Sequence, residues 1–154
     1  MPPVNTLIGF GASTMQGVGD LSQMGFFNRI QAPLLAKQPG LSFVNHGIGG
    51  NTTRDMLARV EKTEAISPRN VVVILGCNDM PRDNDGHPQN RLPVDQYESN
   101  LAAILPRIKG ERSLFVSSFP IRWIGVPTFD RYMDAATRIA RHAGYDIWDL
   151  SLIH

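Results

Sequence analysis

Cysteine is nearly absent from this sequence, in which Cys77 is the only one among 154 residues. A lone cysteine excludes an intrachain disulfide framework and any zinc site built from several cysteines. Neither sign of charge is in excess, because 15 Lys and Arg against 14 Asp and Glu leave a net charge of +1. This balance gives no electrostatic reason to expect nucleic acid or an anionic membrane as a partner.

Long apolar runs are absent as well. None approaches the roughly 18 residues that a helix needs to cross a bilayer. The first residues, Met1 to Thr6, lack the basic and apolar regions of a signal peptide. Hydrophobic residues nevertheless make up 42% of the chain, which is enough for a core at this length. We therefore expect residues 1–154 to form one soluble, cytoplasmic domain.

Short apolar runs alternate along the chain with longer segments of helical periodicity. The runs that predict strands are Leu7–Phe10, Leu41–Val44, Val71–Leu75, Leu114–Val116 and Tyr145–Trp148. The segments that predict helices are 26–37 (kinked or shortened by Pro33), one after Thr53, 97–108 and 132–143. This alternation predicts an α/β fold, a three-layer α/β/α sandwich around a five-stranded, mainly parallel, flavodoxin-like sheet.

Residues with reactive or ligand-binding groups follow three of the predicted strands, at the sheet edge where such folds bind ligands. Ser13 follows the first strand, the glycine-rich turn Gly47-Ile48-Gly49-Gly50 follows the second, and Asn78 follows the third. A hydroxyl nucleophile, a flexible backbone amide and a side-chain N–H₂ donor are the parts of an acyl-transfer site. Taken singly, each has a structural alternative: a helix-capping serine, a capped glycine turn and an Asx-turn.

Together these segments resemble the SGNH hydrolases, also called GDSL esterases and lipases. The segments that carry the resemblance are Gly11-Ala12-Ser13 with Gly17, Asn45 to Gly50 with Thr52, and Gly76-Cys77-Asn78-Asp79. The resemblance implies a serine esterase or lipase-type hydrolase that forms an acyl-enzyme on small or short-acyl carboxylic esters, without a cofactor or metal. It makes Ser13 the nucleophile and Gly50 and Asn78 the donors to the oxyanion.

The sequence departs from that family at two places. Ala12 stands where the first block usually has aspartate, and Ser151 stands where the final D-x-x-H block has aspartate, three residues before His154. His154 has the right place in chain order for the general base, and Asp149 is the candidate to orient it. The alternative is that this chain lacks a C-terminal piece carrying D-x-x-H, in which case Asp149 simply ends the fifth strand. No catalytic role is expected for the remaining histidines, which are His46, His87 and His142.

Other functional classes fit the sequence less well. Gly9-Phe10-Gly11 begins like a dinucleotide fingerprint, but Thr14 occupies its third glycine position. Around 83–86 the residues are similar to a calcium loop, but Pro81 and Leu92 occupy its first and last ligand positions. The main alternative is a non-catalytic SGNH-like domain that binds an ester or an acylated partner.

Two further segments have open interpretations. The polar segment 81–93 is too long for a simple connection and predicts a functional or mobile loop. The apolar residues after the fourth strand either line an acyl pocket or belong to the ordinary core, and they are Phe119, Trp123, Ile124 and Val126.

Overall fold

The structure is a computed structural model that describes residues 5–22, 24–82, 91–122 and 124–151. Five parallel strands form one sheet in the order β2-β1-β3-β4-β5. They are β1 (Thr6–Gly11), β2 (Ser42–Gly47), β3 (Asn70–Ile74), β4 (Arg112–Val116) and β5 (Asp146–Trp148). The predicted α/β fold with a flavodoxin-like strand order is confirmed.

Helices cover both faces of this sheet and make three layers. One face carries α1 (Ser13–Gln16), α2 (Gly25–Arg29) and α3 (Gln31–Lys37), and the other carries α4 (Thr53–Ala58), α5 (Val60–Glu64), α6 (Val94–Ile108) and α7 (Val126–His142). The larger apolar core lies under α4–α7 and the smaller under α1–α3. Strands β1 and β3 are buried almost throughout, as expected of central strands covered on both faces.

The two long helices have the apolar stripes that the sequence predicts. In α6 the buried side chains include Tyr97, Leu101, Ile104, Leu105 and Ile108. In α7 the stripe packs on the same face of the sheet, and Gly144 follows with a φ of +80°, which stops the helix in a left-handed turn. Both helices are amphipathic because only one side of each faces the core.

Two predicted helices are each split into a pair of short ones. The segment 26–37 breaks at Ile30, because Pro33 has no N–H and is tolerated only in the first turn of the second helix, α3. The helix predicted after Thr53 is interrupted at Arg59, where α4 ends and α5 begins. These breaks shorten the predicted helices without moving them to another layer.

Strand β2 runs further than the sequence predicts. The expected strand was Leu41–Val44, but the observed one continues through Gly47, with His46 opposite Phe10 and Gly47 opposite Gly11. The main chain of β1 offers partners to these residues whatever their side chains, which is why apolar patterning alone ends the strand too early. Alternation along β2 then directs Asn45 and Gly47 to the α1 face and His46 to the α5 face.

Candidate active site

Ser13 comes directly after the central strand β1. Ala12 is fully buried, and Ser13 is the half-buried first residue of α1. Its side chain does not cap this helix, because Ala12 occupies the N-cap position and no side-chain cap bond is made. Within the described part of the chain, Ser13 Oγ has no hydrogen-bond partner. The interpretation of Ser13 as a helix cap is therefore wrong, and its hydroxyl is free to act on a ligand.

The short helix α1 is held against the end of β2. Asn45 Nδ2 donates to the Met15 carbonyl oxygen at 2.9 Å, and Asn45 Oδ1 accepts from the Gly47 amide at 2.8 Å. A methyl group on Gly47 would lie 2.3 Å from the Gln16 nitrogen, so the helix can pack this closely only on glycine. The position of Ser13 is thus set by contacts to the backbone that follows it.

The turn after β2 presents the second candidate group, the Gly50 amide. The Asn51 N–H donates to the Ile48 carbonyl at 3.3 Å, and Gly50 has a φ of +77°, as the third residue of a type II turn requires. The Gly50 N–H has no acceptor among the described residues. Thr52 then caps α4 in a capping box with Asp55, so the turn is both well anchored and left with a free donor.

Asn78 lies beyond the end of β3 and is tied to that turn. Its Nδ2 donates to the Asn51 carbonyl oxygen at 2.9 Å. An Asx-turn would direct the Met80 amide to Asn78 Oδ1, but that amide donates to the Cys77 carbonyl oxygen at 3.1 Å, so Asn78 does not form the Asx-turn that is its structural alternative. An amide nitrogen has two hydrogens, and the bond to Asn51 uses one of them, which leaves the other for a ligand.

The three strand ends meet in one loop cluster. A methyl group on Gly49 would lie 3.9 Å from Ser13 Cβ, and one on Gly76 would lie 3.2 Å from both Ala12 Cβ and Asn78 Nδ2. The Gly49 amide also donates to Gln16 Oε1 of α1, the helix that begins at Ser13. A hydroxyl and a backbone N–H that have no partner among the described residues are therefore gathered with a side-chain amide at the carboxyl edge of the sheet, as acyl transfer requires.

Asp79 supports this cluster from beneath. Its buried carboxylate accepts from the Thr53 amide at 3.0 and 3.1 Å and from the Thr53 hydroxyl at 2.6 Å. Asn100 Nδ2 donates to the same hydroxyl oxygen at 3.0 Å. Desolvation by burial raises the pKa of Asp79 to about 6, although the Thr53 hydrogen bonds act in the opposite direction. Asp79, which directly follows Asn78, is thereby bonded to Thr53, the first residue of α4.

Known proteins resemble this chain in sequence and in fold. The family model of the GDSL-like lipase/acylhydrolase family matches residues 10–153, nearly the whole chain. The chain belongs to this family. The acetylxylan esterase of Geobacillus stearothermophilus is 29% identical over 142 residues, which are 85% of this chain and 64% of that protein. The chain thus spans somewhat less than two thirds of the length of this relative.

Solved structures share the GDSL fold at lower identity. The lipase/acylhydrolase from Enterococcus faecalis superposes with a TM-score of 0.76 at 19% identity, covering 95% of this chain and 76% of that one. The psychrotrophic esterase EstA from Pseudoalteromonas sp. superposes with a TM-score of 0.72 at 19% identity, covering 94% and 76%. At this identity the likeness concerns the fold alone.

The two described histidines of this GDSL domain both lie away from Ser13. His46 Nδ1 lies 2.7 Å from Thr63 Oγ1 on the α5 face, and burial together with the Arg59 and Lys62 charges lowers its pKa. His142 is exposed at the C-terminal end of α7, at the opposite edge of the sheet, because the connecting helices run antiparallel to the strands. His87 and His154 lie outside the described residues, so His154 stays a prediction.

Asp149, the predicted partner of His154, directly follows β5. Its Oδ1 accepts from Ser117 Oγ at 2.9 Å and from the Ser151 amide and hydroxyl at 2.9 and 2.5 Å. Burial raises the pKa of this carboxyl, but the Ser151 and Ser117 hydrogen bonds outweigh it and hold the pKa below its usual value. Three inter-strand spacings of about 4.8 Å separate β5 from β1, so these two strands lie roughly 14 Å apart in the sheet. A catalytic role for Asp149 stays a prediction.

Several residues that organise this GDSL site were missed by the sequence analysis. Arg59 donates to three backbone or side-chain oxygens around the site, and Gln16 and Asn51 bridge its loops. One feature of the sequence could have identified Arg59. It lies between the apolar Leu57 and Val60 and three residues after Met56, among the apolar residues of the predicted helix. That position falls on the buried side of a helix, where a cation needs a specific reason.

The apolar residues that follow β4 differ in their exposure. After β4, Ile124 is buried in the core, whereas Phe119 and Val126 are exposed, and Trp123 lies outside the described residues. Residues 83–90 of the polar segment also lie outside the described residues.

Within the described ranges, no group of three or more His, Cys, Asp or Glu side chains could hold a metal. No helix in those ranges is both long and apolar enough to span a membrane.

Proposed function

We propose that this GDSL-family chain is a serine carboxylic ester hydrolase acting on small or short-acyl esters. The observation that carries the proposal is the meeting of Ser13, Gly50 and Asn78 at three neighbouring strand ends, with the Ser13 hydroxyl and the Gly50 amide free of other described partners. The activity is proposed for residues 1–154 acting as one domain, and the cytoplasmic location stays a prediction from the sequence.

The mechanism is two-step acyl transfer. Ser13 Oγ bonds to the ester carbonyl carbon as its proton passes to the general base, and the Ser13 and Gly50 amides with Asn78 Nδ2 hold the oxyanion. The carbon–oxygen bond to the alcohol then breaks, and the base returns the proton to the leaving alcohol. Water repeats the sequence on the acyl-enzyme and releases the acid. We propose His154 as the base and Asp149 as the group that orients it.

The choice of substrates follows from the relatives. The Geobacillus relative is named an acetylxylan esterase, so acetyl esters, including acetylated xylo-oligosaccharides, are the first compounds to test. A panel of p-nitrophenyl esters from acetate to octanoate measures the acyl length that the site accepts. We expect the highest kcat/KM for the shortest acyl groups.

The decisive variant is Ser13→Ala, with Ser99→Ala as the matched control. Ser99 is an exposed α6 serine whose hydroxyl donates to the Asp95 carbonyl, so removing it leaves the site intact. We expect Ser13→Ala to lose about a thousandfold or more in kcat, since the nucleophile is gone. A serine-directed phosphonate should label Ser13, as found by peptide mass spectrometry. Full esterase activity in Ser13→Ala would refute the proposal.

The same assay separates an enzyme from the non-catalytic alternative. A domain that only binds an ester would show saturable binding without release of p-nitrophenol and would not react with the phosphonate. His154→Ala, compared with His87→Ala, tests the base. We expect only the first substitution to abolish the rise of kcat with pH that a histidine base produces.

A further inference from the structure

Arg59 lies at the interruption between α4 and α5, with its guanidinium directed inward beneath the candidate site. The group is half-buried, and its central carbon lies 4.7 Å from the centre of the Phe10 ring. Among the described residues no carboxylate lies within ion-pair distance of it. Desolvation lowers the pKa of this arginine, and the Asp55 charge offsets only part of that effect. Such a cation needs neutral acceptors for its N–H groups.

Three acceptors surround the guanidinium, and they come from three separate segments. Nη2 donates to the Gly11 carbonyl oxygen at 2.7 Å, and Nη1 donates to the His46 carbonyl oxygen at 2.8 Å. Nε donates to Asn51 Oδ1 at 2.7 Å. Because the guanidinium is planar and its N–H groups are fixed in a fork, these three bonds set the relative positions of the three segments.

Two of the three acceptors adjoin groups of the proposed mechanism, and the third, His46, lies on β2, the strand that leads into the turn with Gly50. Gly11 lies two residues before Ser13, and Asn51 directly follows Gly50. The carbonyl of Asn51 also accepts the hydrogen bond from Asn78 Nδ2 at 2.9 Å. Arg59 therefore connects the strand that precedes Ser13 to the turn that contains Gly50. Through the Asn51 carbonyl it is also connected to Asn78.

We propose that Arg59 is a positioning residue that fixes the distance from the Ser13 hydroxyl to the oxyanion donors, Gly50 and Asn78. This inference rests on the proposed function. Arg59 does not touch the substrate and acts through Gly11, His46 and Asn51. A displacement of about 1 Å in an acyl-transfer site lowers the rate by about a hundredfold, so the loss of these bonds should affect kcat more than KM.

The test compares Arg59→Lys and Arg59→Ala with Arg138→Ala. A lysine keeps the charge, but its single ammonium cannot replace the planar fork that joins three acceptors. We expect Arg59→Lys to lower kcat on p-nitrophenyl acetate by about 10- to 100-fold with little change in KM. Arg59→Ala should lose more, and millimolar guanidinium should restore part of its activity. Arg138, paired with Glu98 on the exposed side of α7, should be replaceable without effect.

Two outcomes would overturn the proposal. One is a wild-type kcat in Arg59→Lys. The other is a loss of kcat in a folded Arg59→Ala that guanidinium does not restore, with circular dichroism and thermal unfolding as checks of folding. If Arg59→Ala does not fold, Arg59→Lys decides.

A separate readout distinguishes this proposal from the proposed function. Amide NMR spectra of wild type and Arg59→Lys need no turnover, so they remain informative if the wild type hydrolyses no ester. We expect shifted or broadened signals for the Gly50 and Asn51 amides and the Asn78 side-chain amide. Unchanged signals at these positions would overturn the positioning role whatever the activity.

Discussion

Replacing Asp79 with asparagine tests whether burial keeps a carboxyl at the candidate site protonated up to about pH 6. Only 3% of Asp79 is exposed, and burial raises its pKa from 3.8 to about 6. In the unfolded chain the carboxyl ionises near its ordinary value. Between about pH 4 and pH 6 the folded state therefore holds more protons at this residue than the unfolded state does.

The sign of the effect follows from that difference. Stability falls with rising pH wherever the folded state binds more protons, so the contribution of Asp79 is largest below about pH 4 and is lost as the pH passes 6. A rise of the pKa from 3.8 to about 6 corresponds to about 3 kcal/mol at most. Asparagine keeps an oxygen that can accept from Thr53 but does not titrate. The substitution should therefore remove this pH dependence.

Urea unfolding from pH 4 to pH 8, followed by circular dichroism, measures the effect. The free energy of unfolding of the wild type minus that of Asp79→Asn should fall by up to about 3 kcal/mol between pH 4 and pH 7. His46, whose pKa burial lowers, titrates in both proteins and cancels in the difference. As a control, Asp20→Asn removes a carboxyl with a pKa of about 2 and should change the pH dependence only below pH 4. A difference between wild type and Asp79→Asn that stays constant across this range would refute the reasoning.

Two further substitutions test individual contacts by urea or thermal unfolding. Asn45→Ala removes the bonds to Met15 and Gly47, so we expect a loss of about 1–2 kcal/mol in stability and a lower kcat; unchanged values for both would contradict the tethering of α1. Tyr97→Phe removes a fully buried hydroxyl that has no partner among the described residues but keeps the ring packed on Tyr132, so stability should stay the same or rise by about 1 kcal/mol. A loss above about 1 kcal/mol in Tyr97→Phe would mean that its hydroxyl has a partner after all.

Local patterns in the sequence were sufficient to predict the fold. The apolar run of β3 and the stripes of α6 and α7 reflect burial, which repeats along the chain with the period of each element. The ends of elements were less accurate. β2 continues through Asn45 to Gly47 because main-chain pairing with β1 does not depend on apolar side chains. The pattern of apolar residues indicates which side chains pack in the core, but it does not indicate where main-chain pairing between strands ends.

The candidate site was predicted in part for the same reason. Ser13, the glycine-rich turn and Asn78 could be placed together because each follows a predicted strand and parallel strands end at one edge, and the family resemblance then singled out Gly50 within that turn. The helical pattern places Arg59 on the buried side of a helix but does not indicate its acceptors, because these are set by contacts between distant segments, such as the bond to Gly11 across 48 positions of sequence. No local period encodes a bond of this kind.

The first departure from the family pattern, at Ala12, lies where contacts from distant segments hold the backbone. Ala12 replaces the usual aspartate, and it is fully buried, with its methyl group packed toward Gly76. The backbone on both sides is nevertheless held, since Arg59 binds the Gly11 carbonyl and Asn45 binds the Met15 carbonyl. Bonds to backbone oxygens do not depend on the side chain at position 12. The absence of the aspartate is therefore compatible with a fixed nucleophile, and Arg59 and Asn45 are the residues whose loss should displace it.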